Sequence, residues 1–297
     1  MTRTALWTIG LALTCAIVAV LWQNAHYLYA RRTFVQDRQA MFYSGDVFHV
    51  VTFLKTRPGV DPIAALRAFR HETAGAGQWI YAGLAVVNVP SARIGPVEWS
   101  AVTLVQYPSR AAYESEAASP GYKHALAAFE RSYAEGARRS AAENLLLPQI
   151  LLVRRILRVL SFARSSYPFT PADATDIPER GRRMMAALRA QAAGLGSHAA
   201  VVVNLQKRGT PAQEAADARY VRAMTDLMAE RGYGPMHLAK AEALPGDCEF
   251  DRVAIVYYPG TGFFADMFGS TFYQGIYRDK QLDDNQSTIT VPVLDLL

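Results

Sequence analysis

Two segments of this chain end in the same Tyr-Pro pair, and the pair closes a repeat. Glu98–Pro108 lies over Glu249–Pro259 at an offset of 151 residues (249 − 98). The frame runs without a gap from Val47/His198 to Phe129/Lys280. Roughly 16 aligned pairs are identical, among them Val50/Val201, Leu54/Leu205, Arg57/Arg208, Gly83/Gly234, Ser119/Ser270 and Tyr122/Tyr273. A repeat of this length makes each copy one structural unit. The 297 residues have room for two such units, each with its own core. A content of 51% hydrophobic and 19% charged residues excludes a disordered chain.

Each copy reads as strand, helix, strand, strand, helix, strand. In the first, Phe48–Lys55 is a β-rich run, and Asp61-Pro62 marks a helix start. Trp79–Val89 and Glu98–Tyr107 are the next strands. Ser109 opens a second helix that breaks near Ser119-Pro120-Gly121 and resumes from Tyr122 to about Arg139. In the second copy, Ala199–Gln206 precedes a Thr210…Gln213 capping box. Met236–Ala243, Phe250–Tyr258 and a helix near Phe263–Lys280 follow. Leu145–Leu152 matches Ile289–Leu296 at an offset of 144 (292 − 148, on the prolines), so both are read as the fourth strand. The expected division is a membrane anchor over 1–30, one repeat over 47–153, a basic linker with a helix over 154–197, and a second repeat over 198–297.

The order β-α-β-β-α-β is the ferredoxin-like plan. Its sheet has helices on one face, and a second copy is the natural cover for the other. The chain resembles the dimeric α+β-barrel superfamily, which includes antibiotic-biosynthesis monooxygenases and EthD-like proteins. The resemblance is carried by Trp99, Val102, Leu104 and Tyr107-Pro108-Ser109, then Ser119 and Tyr122, with Phe250, Val253, Ile255, Tyr258-Pro259, Ser270 and Tyr273 in the second copy. It implies an α+β fold in which two repeats form a pseudo-dimeric barrel within one chain. It also implies a barrel interior where family oxygenases use Asn, Trp and His; Asn204 matches that set by residue type, without a complete triad.

Ala5–Trp22 carries no charge. At about 1.5 Å per residue a helix of this length nearly crosses a hydrocarbon core. Trp7 stands near one end, and Trp22, Tyr27 and Tyr29 near the other, as in aromatic belts. No small-residue cleavage site follows, so the segment reads as an uncleaved single-pass anchor in a bacterial inner membrane. Arg31, Arg32 and Arg38 after the span lean toward a cytosolic body. Between Arg154 and Arg189 stand eight arginines and three acids, a surplus of +5 that equals the net charge of the whole chain. Arg154–Arg164 mixes arginines with apolar residues. It can lie on an anionic membrane surface, or lay its leucines on the barrel with its arginines in water.

Alternation along the strands sorts side chains between helix side and barrel interior. Placing Val50, Thr52, Leu54, Val102 and Leu104 toward the helices, with Val201, Val203, Leu205, Val253 and Ile255, leaves the opposite parity inside. That puts His49, Val51, Phe53, Val86, Asn88, Ala101, Thr103 and Tyr107 inside from one copy. Val202, Asn204, Gln206, His237, Arg252, Ala254 and Tyr258 come from the other. The aligned pairs Phe53/Asn204, Val86/His237 and Ala101/Arg252 are apolar or small in the first copy and polar in the second. A buried polar group needs a partner, so Asn204, His237, Arg252 and Tyr258 are the candidate ligand-binding residues. His237 has acid–base chemistry near neutral pH, and Arg252 suits a carboxylate or enolate. Trp79, Tyr81 and Trp99 read as core or as lining of an apolar pocket, and Lys123 and His124 as solvated.

The six histidines form no HxxxH or HExxH pattern, there is no CxxC, and no glycine cluster makes a phosphate loop. No metal, cofactor or nucleic acid is expected. Cys15 and Cys248 cannot build a disulfide framework. Two functions remain. One is a membrane-anchored barrel that binds, and without a metal transforms, a small apolar or lipid-derived molecule in the cavity between the repeats. The other is a non-catalytic accessory subunit that docks a membrane-protein partner. Catalytic residues are not identified.

Overall fold

The computed structural model describes residues 3–73, 75–195, 199–245 and 249–297, with the side chains at 3–6, 9, 12, 141 and 191–195 outside the description. His198, Gly196 and Cys248 therefore lie outside the described residues. Helix α1 spans Arg3–Phe34. From Trp7 to Trp22 every residue with a described side chain is exposed except the half-buried Ala19. The last third then docks, burying Gln23, Tyr27, Ala30 and Arg31. Among the described residues no helix is long and apolar enough to cross a membrane. The transmembrane span expected over Ala5–Trp22, which includes residues without described side chains, gains no support there.

The first half runs β1 (Phe48–Thr56), α2 (Pro62–Glu72), β2 (Gln78–Val89), β3 (Ala101–Tyr107), α3 (Arg110–Ala118), α4 (Pro120–Ala127) and β4 (Phe129–Arg138). The Asp61 carboxylate accepts from the amides of Ile63 and Ala64, and Pro62 fills the first helical position, where no N–H is required. Ser109 and Ser119 cap α3 and α4 in the same way. Two helices follow, α5 (Ala141–Leu160) and α6 (Glu179–Leu195). The second half runs β5 (Ala200–Lys207), α7 (Pro211–Arg231), β6 (Pro235–Glu242), β7 (Arg252–Tyr258), α8 (Thr261–Phe268), α9 (Thr271–Tyr277) and β8 (Asp284–Pro292). Thr210 and Gln213 form the capping box at the start of α7.

The last strand of the first half is not where the proline match placed it. Leu145–Leu152 lies within α5, and the strand is the polar run Phe129–Arg138, read from sequence as the end of a helix. A run such as Leu-Leu-Leu-Pro-Gln-Ile-Leu-Leu has no period that separates a strand from a buried helix. The deciding signal is local: Ser140 and Glu143 exchange side-chain and backbone bonds in a capping box that starts α5 at Ala141, four residues before the run. In the second half the expected single helix is two, broken at Gly269-Ser270, matching the α3–α4 break.

The eight strands form one closed barrel in the order β1-β3-β2-β8-β5-β7-β6-β4. Each half contributes four strands in the same order, β4-β1-β3-β2 and β8-β5-β7-β6, and every pairing is antiparallel. The halves meet at two seams. One pairs β2 with β8 from Gly83/Pro292 to Val89/Ser287, and the shorter one pairs β4 with β6 from Gly136/Glu242 to Arg138/Lys240. Pro292 sits at the end of its strand, where a missing N–H costs the ladder little.

Contacts across the barrel identify its inner face. The rings of His49 and His237, from opposite halves, lie 4.6 Å apart, and Tyr81 bonds Thr290 at 2.6 Å across the seam. Residues opposite one another in an antiparallel pair share a face. His49, Val51 and Phe53 are therefore inside together with their partners Gln106, Leu104 and Val102. His237 likewise places Ile255, Val203 and then Val253 and Leu205 inside. The expected faces hold for β1 and for His237. They are reversed for β3, β5 and β7: Val102, Leu104, Val201, Val203, Leu205, Val253 and Ile255 fill the barrel. Ala101, Thr103 and Tyr107 turn to the helices, as do Val202, Asn204, Gln206, Arg252, Ala254 and Tyr258.

The reversal of β5 comes from the repeat frame, while β7 follows its in-frame counterpart β3. By position in the sheet, Phe53 corresponds to Leu205, Val102 to Val253, and Tyr81 to His237. The offsets are 152 (205 − 53), 151 (253 − 102) and 156 (237 − 81). Helix α7 has 21 residues against 11 in α2, which displaces the second strand. A single gapless frame slips the first strand by one residue, and a one-residue slip exchanges the faces of every side chain. Phe53/Asn204 and Val86/His237 are thus not equivalent positions, whereas Ala101/Arg252 are.

Eight strands leave an interior just wide enough to be filled by side chains. Phe53, Tyr81, Val203, Leu205, Val253 and Ile255 are each 0% exposed. The expected open cavity between the repeats is therefore a packed core. Phe53→Ala is expected to cost about 3–5 kcal/mol in denaturant unfolding, the cost of emptying an aromatic position in a rigid core. A cost below about 1 kcal/mol would mean the interior is already open to solvent or collapses freely.

Candidate functional site

The reversed faces of β5 and β7 place polar residues under the helices of the second half, where a cavity of about 310 Å³ lies. Its floor is the sheet: Val202, Asn204 and Gln206 on β5, and Arg252, Ala254, Val256 and Tyr258 on β7. Its roof is apolar and aromatic, with Tyr220, Met224 and Met228 from α7, Phe264 from α8 and Tyr273 from α9. Leu147, Ile150 and Leu151 of α5 close one side, and Lys280, after α9, stands at another. Methionines suit such a wall because unbranched thioethers refill space as a ligand changes shape.

The polar floor is largely preassembled. Asn204 donates Nδ2 to the Ala254 carbonyl at 3.1 Å and accepts from the Ser287 hydroxyl. Gln206 Oε1 accepts from Arg252 Nε at 2.7 Å. Arg252 Nη2 stands 3.6 Å from Asp217 Oδ2 on α7. Burial pushes the Asp217 carboxyl up, against the opposing pull of Arg252 and Lys280. Burial pushes the Lys280 ammonium down, with Asp217 acting the other way. Lys280 has no salt bridge among the described residues; its Nζ lies 5.9 Å from the Tyr220 ring centroid. Two cations thus share one acid beside an apolar chamber. Tyr258 packs edge-on against Phe264 at 4.6 Å.

His237 is elsewhere. It lies inside the barrel at 0% exposure, in a polar cluster that closes one end. The chain after α1 enters this end, burying Gln36, Asp37 and Gln39. Arg31 donates Nε to Asp37 at 2.6 Å, Nη1 to Asn144 at 3.0 Å and Nη2 to Gln39 at 3.2 Å. Arg139 Nη1 donates to the Met236 carbonyl at 2.8 Å and meets His237 Nδ1 at 3.0 Å. A guanidinium has no acceptor, so Nδ1 must offer its lone pair and the imidazole is neutral, protonated at Nε2. Gln39 Nε2 lies 2.9 Å from His49 Nε2. Burial pushes the His49 imidazole down to about 4; Arg139 lowers it further while the Gln106 bond opposes. Burial, then His49, Arg139 and Arg31, hold His237 well below the usual histidine range.

Of the four candidate residues, the structure brings Asn204, Arg252 and Tyr258 to one cavity wall and leaves His237 behind the sheet. Asp217 and Lys280 were missed. Asp217 does leave a trace in the sequence, an acid on the stripe that Tyr220 and Met224 continue at helical spacing. Lys280 is the last residue of the gapless frame and carries no such signal. Trp79 packs on the helix side of the first half, Tyr81 lies in the barrel core, Trp99 is buried, and Lys123 and His124 are exposed. No group of three or more His, Cys, Asp or Glu able to hold a metal occurs among the described residues.

No family model matches the chain, and no curated protein does. Among solved structures it is similar to an anthrone oxidase-like protein, at 9% identity and TM-score 0.44, covering 84% of this chain and 92% of that one. It is also similar to a dye-decolorizing protein from V. cholerae, at 13% identity and TM-score 0.43, covering 86% and 97%. A protein of unknown function from Rhodopseudomonas palustris matches at 19% identity and TM-score 0.25, covering 32% of this chain and 84% of that one. Likeness at this level does not bear on activity or ligand.

The buried histidines set a pH dependence of stability. Both have folded pKa values below the unfolded value of about 6.5, so the unfolded chain binds more protons in the window below it. Stability is full above pH about 6.5 and is lost as pH falls toward 4, at up to about 1.4 kcal/mol per pH unit for each histidine. Urea midpoints measured between pH 4.5 and 7.5 should show this slope, and His49→Gln should flatten it. An unchanged slope would mean His49 is not held neutral.

Proposed function

We propose that the chain binds a small amphipathic anion, an apolar body bearing one carboxylate or enolate, in the cavity beneath α7. One observation carries this reading: Arg252 pairs with Asp217, and Lys280 feels that same acid without a salt bridge to it, beside a chamber whose walls include Met224, Met228, Leu151 and Phe264. Lys280 is a cation whose charge burial opposes and which no salt bridge among the described residues satisfies. An anionic head would stabilise it, while the body displaces water from apolar walls. Asn204 and Gln206 are engaged with their neighbours and serve to hold the floor and orient Arg252. His237 has no part in this site.

The two halves are read as duplicates of one ferredoxin-like unit, which their common strand order supports. The N-terminal helix is read as a membrane anchor, with the body on the cytosolic side. Its support is the 32-residue length of α1, the charge-free stretch Ala5–Trp22, and the exposure of Leu11, Leu13, Ile17, Val18, Leu21 and Trp22. Such an anchor would keep the cavity near lipophilic ligands. A second reading, a non-catalytic accessory subunit of a membrane complex, draws on the exposed apolar residues of α5.

Titration of the full chain with the fluorescent fatty acid cis-parinaric acid tests the ligand class. Arg252→Ala and Lys280→Ala are each expected to weaken binding roughly tenfold, as loss of one charge-assisted bond does. The methyl ester of the probe should bind the unmodified chain about as poorly. Equal affinities for acid and ester would remove the anion from the proposal, and unaltered binding by Met224→Trp would remove the cavity.

A further inference from the structure

Helix α5 has two lives along one axis. Leu147 and Leu151 turn inward to the cavity. On the outer side Leu146, Ile150, Val153, Ile156, Leu157, Val159 and Leu160 are each at least 47% exposed. On a helical projection the residues from Ile150 to Ile156 cover an arc of more than about 100°, wider than the seam of a two-helix coiled coil. Phe162, just beyond the helix, is 92% exposed at a φ of +50°, a conformation uncommon for any residue but glycine. An apolar surface of this extent calls for a cover.

The charges around it say which cover fits. Arg154 and Arg158 turn to the body and pair with Asp226 and Glu230 of α7. Arg155 and Arg164 are exposed, with no ion pair among the described residues. No acid occurs between Asn144 and Ala172. A large apolar face edged by unpaired arginines, whose neighbouring acids Asp226 and Glu230 are already engaged by Arg154, Arg158 and Ser165, is complementary to an anionic lipid surface. Helix α1 packs against α5, and Arg31 near the end of α1 bonds Asn144 near the start of α5.

We infer that α5 and Phe162 dock into the interface of an anionic bilayer, beside α1. Ile150 then belongs both to the docked face and to the cavity wall, so the cavity opens toward lipid and loads from it. The docking stands on the surface alone, and the loading route rests on the ligand reading above.

The test uses the full chain with Cys15→Ser and Cys248→Ser and one new cysteine, Leu157→Cys or Phe162→Cys, carrying an environment-sensitive nitrobenzoxadiazole label. Ser115→Cys, exposed on α3, is the control. In phosphatidylcholine vesicles containing phosphatidylglycerol, labels at 157 and 162 should shift to the blue and be quenched by a lipid-borne nitroxide, while the label at 115 does neither. Arg155→Glu with Arg164→Glu should cut the shielded fraction roughly tenfold, given the attraction of each basic side chain to an anionic surface. Labels at 157 and 162 that stay in water on vesicle-bound protein overturn the inference. Shielding that needs no lipid and grows with protein concentration overturns it in favour of a second copy. Shielding in native membranes but not in lipid vesicles overturns it in favour of a protein partner. Loss of shielding with parinaric acid binding intact leaves the ligand reading standing, and intact shielding without ligand binding removes only the loading route.

Discussion

Closure of the sheet governs the rest of this molecule. Once β2 pairs with β8 and β4 with β6, no strand edge remains, and one face of every strand is committed to a narrow interior. That interior takes large apolar side chains such as Phe53, Tyr81, Leu205 and Ile255, and it leaves no room for a ligand between the halves. Polar residues of β5 and β7 can then face only the helices. The cavity arises on that outer side, where α7, nearly twice the length of its counterpart, and α5 roof the strands of the second half.

Two places in the structure divide the charged chemistry between them. At the barrel end, Arg31, Arg139, Asp37 and Gln39 hold two neutral imidazoles in a closed network, which ties the α1 junction to both halves. Under the helices, Arg252 and Lys280 share Asp217 beside solvent-accessible apolar space. The first arrangement is sealed in the interior, with His49 Nδ1, His237 Nε2 and Arg139 Nε lacking a hydrogen-bond partner among the described residues, and the second borders accessible space and is short of negative charge. That difference is the physical reason the ligand site is assigned to the cavity and not to the histidines.

Much of the fold is legible from residues. The caps at Asp61, Ser109, Ser119 and Thr210 give helix starts, and the doubled β-α-β-β-α-β order gives two sheets that need mutual cover. The candidate site is legible only in part. Asn204, Arg252 and Tyr258, which line one cavity, were singled out because polar residues interrupt apolar strands. Asn204 was assigned to the wrong face because a gapless frame hides a one-residue shift, and Arg252 and Tyr258 because the faces of β3, which the frame carries unshifted to β7, were reversed. His237 was grouped with them by an alignment that the longer α7 displaces by five residues. The polar strand β4 was missed because its backbone partner, β1, lies some eighty residues away.

By itself the sequence determined an α+β fold, the capped helix starts at Asp61, Ser109 and Thr210, and the charge-free N-terminal stretch. These depend on local spacing and on composition, which neighbouring residues supply. Only the tertiary structure decided which face of each strand is inside, whether the barrel is hollow, and which charges meet. Those depend on pairing register between distant strands, where a shift of one residue exchanges core for cavity, and no local pattern records that shift.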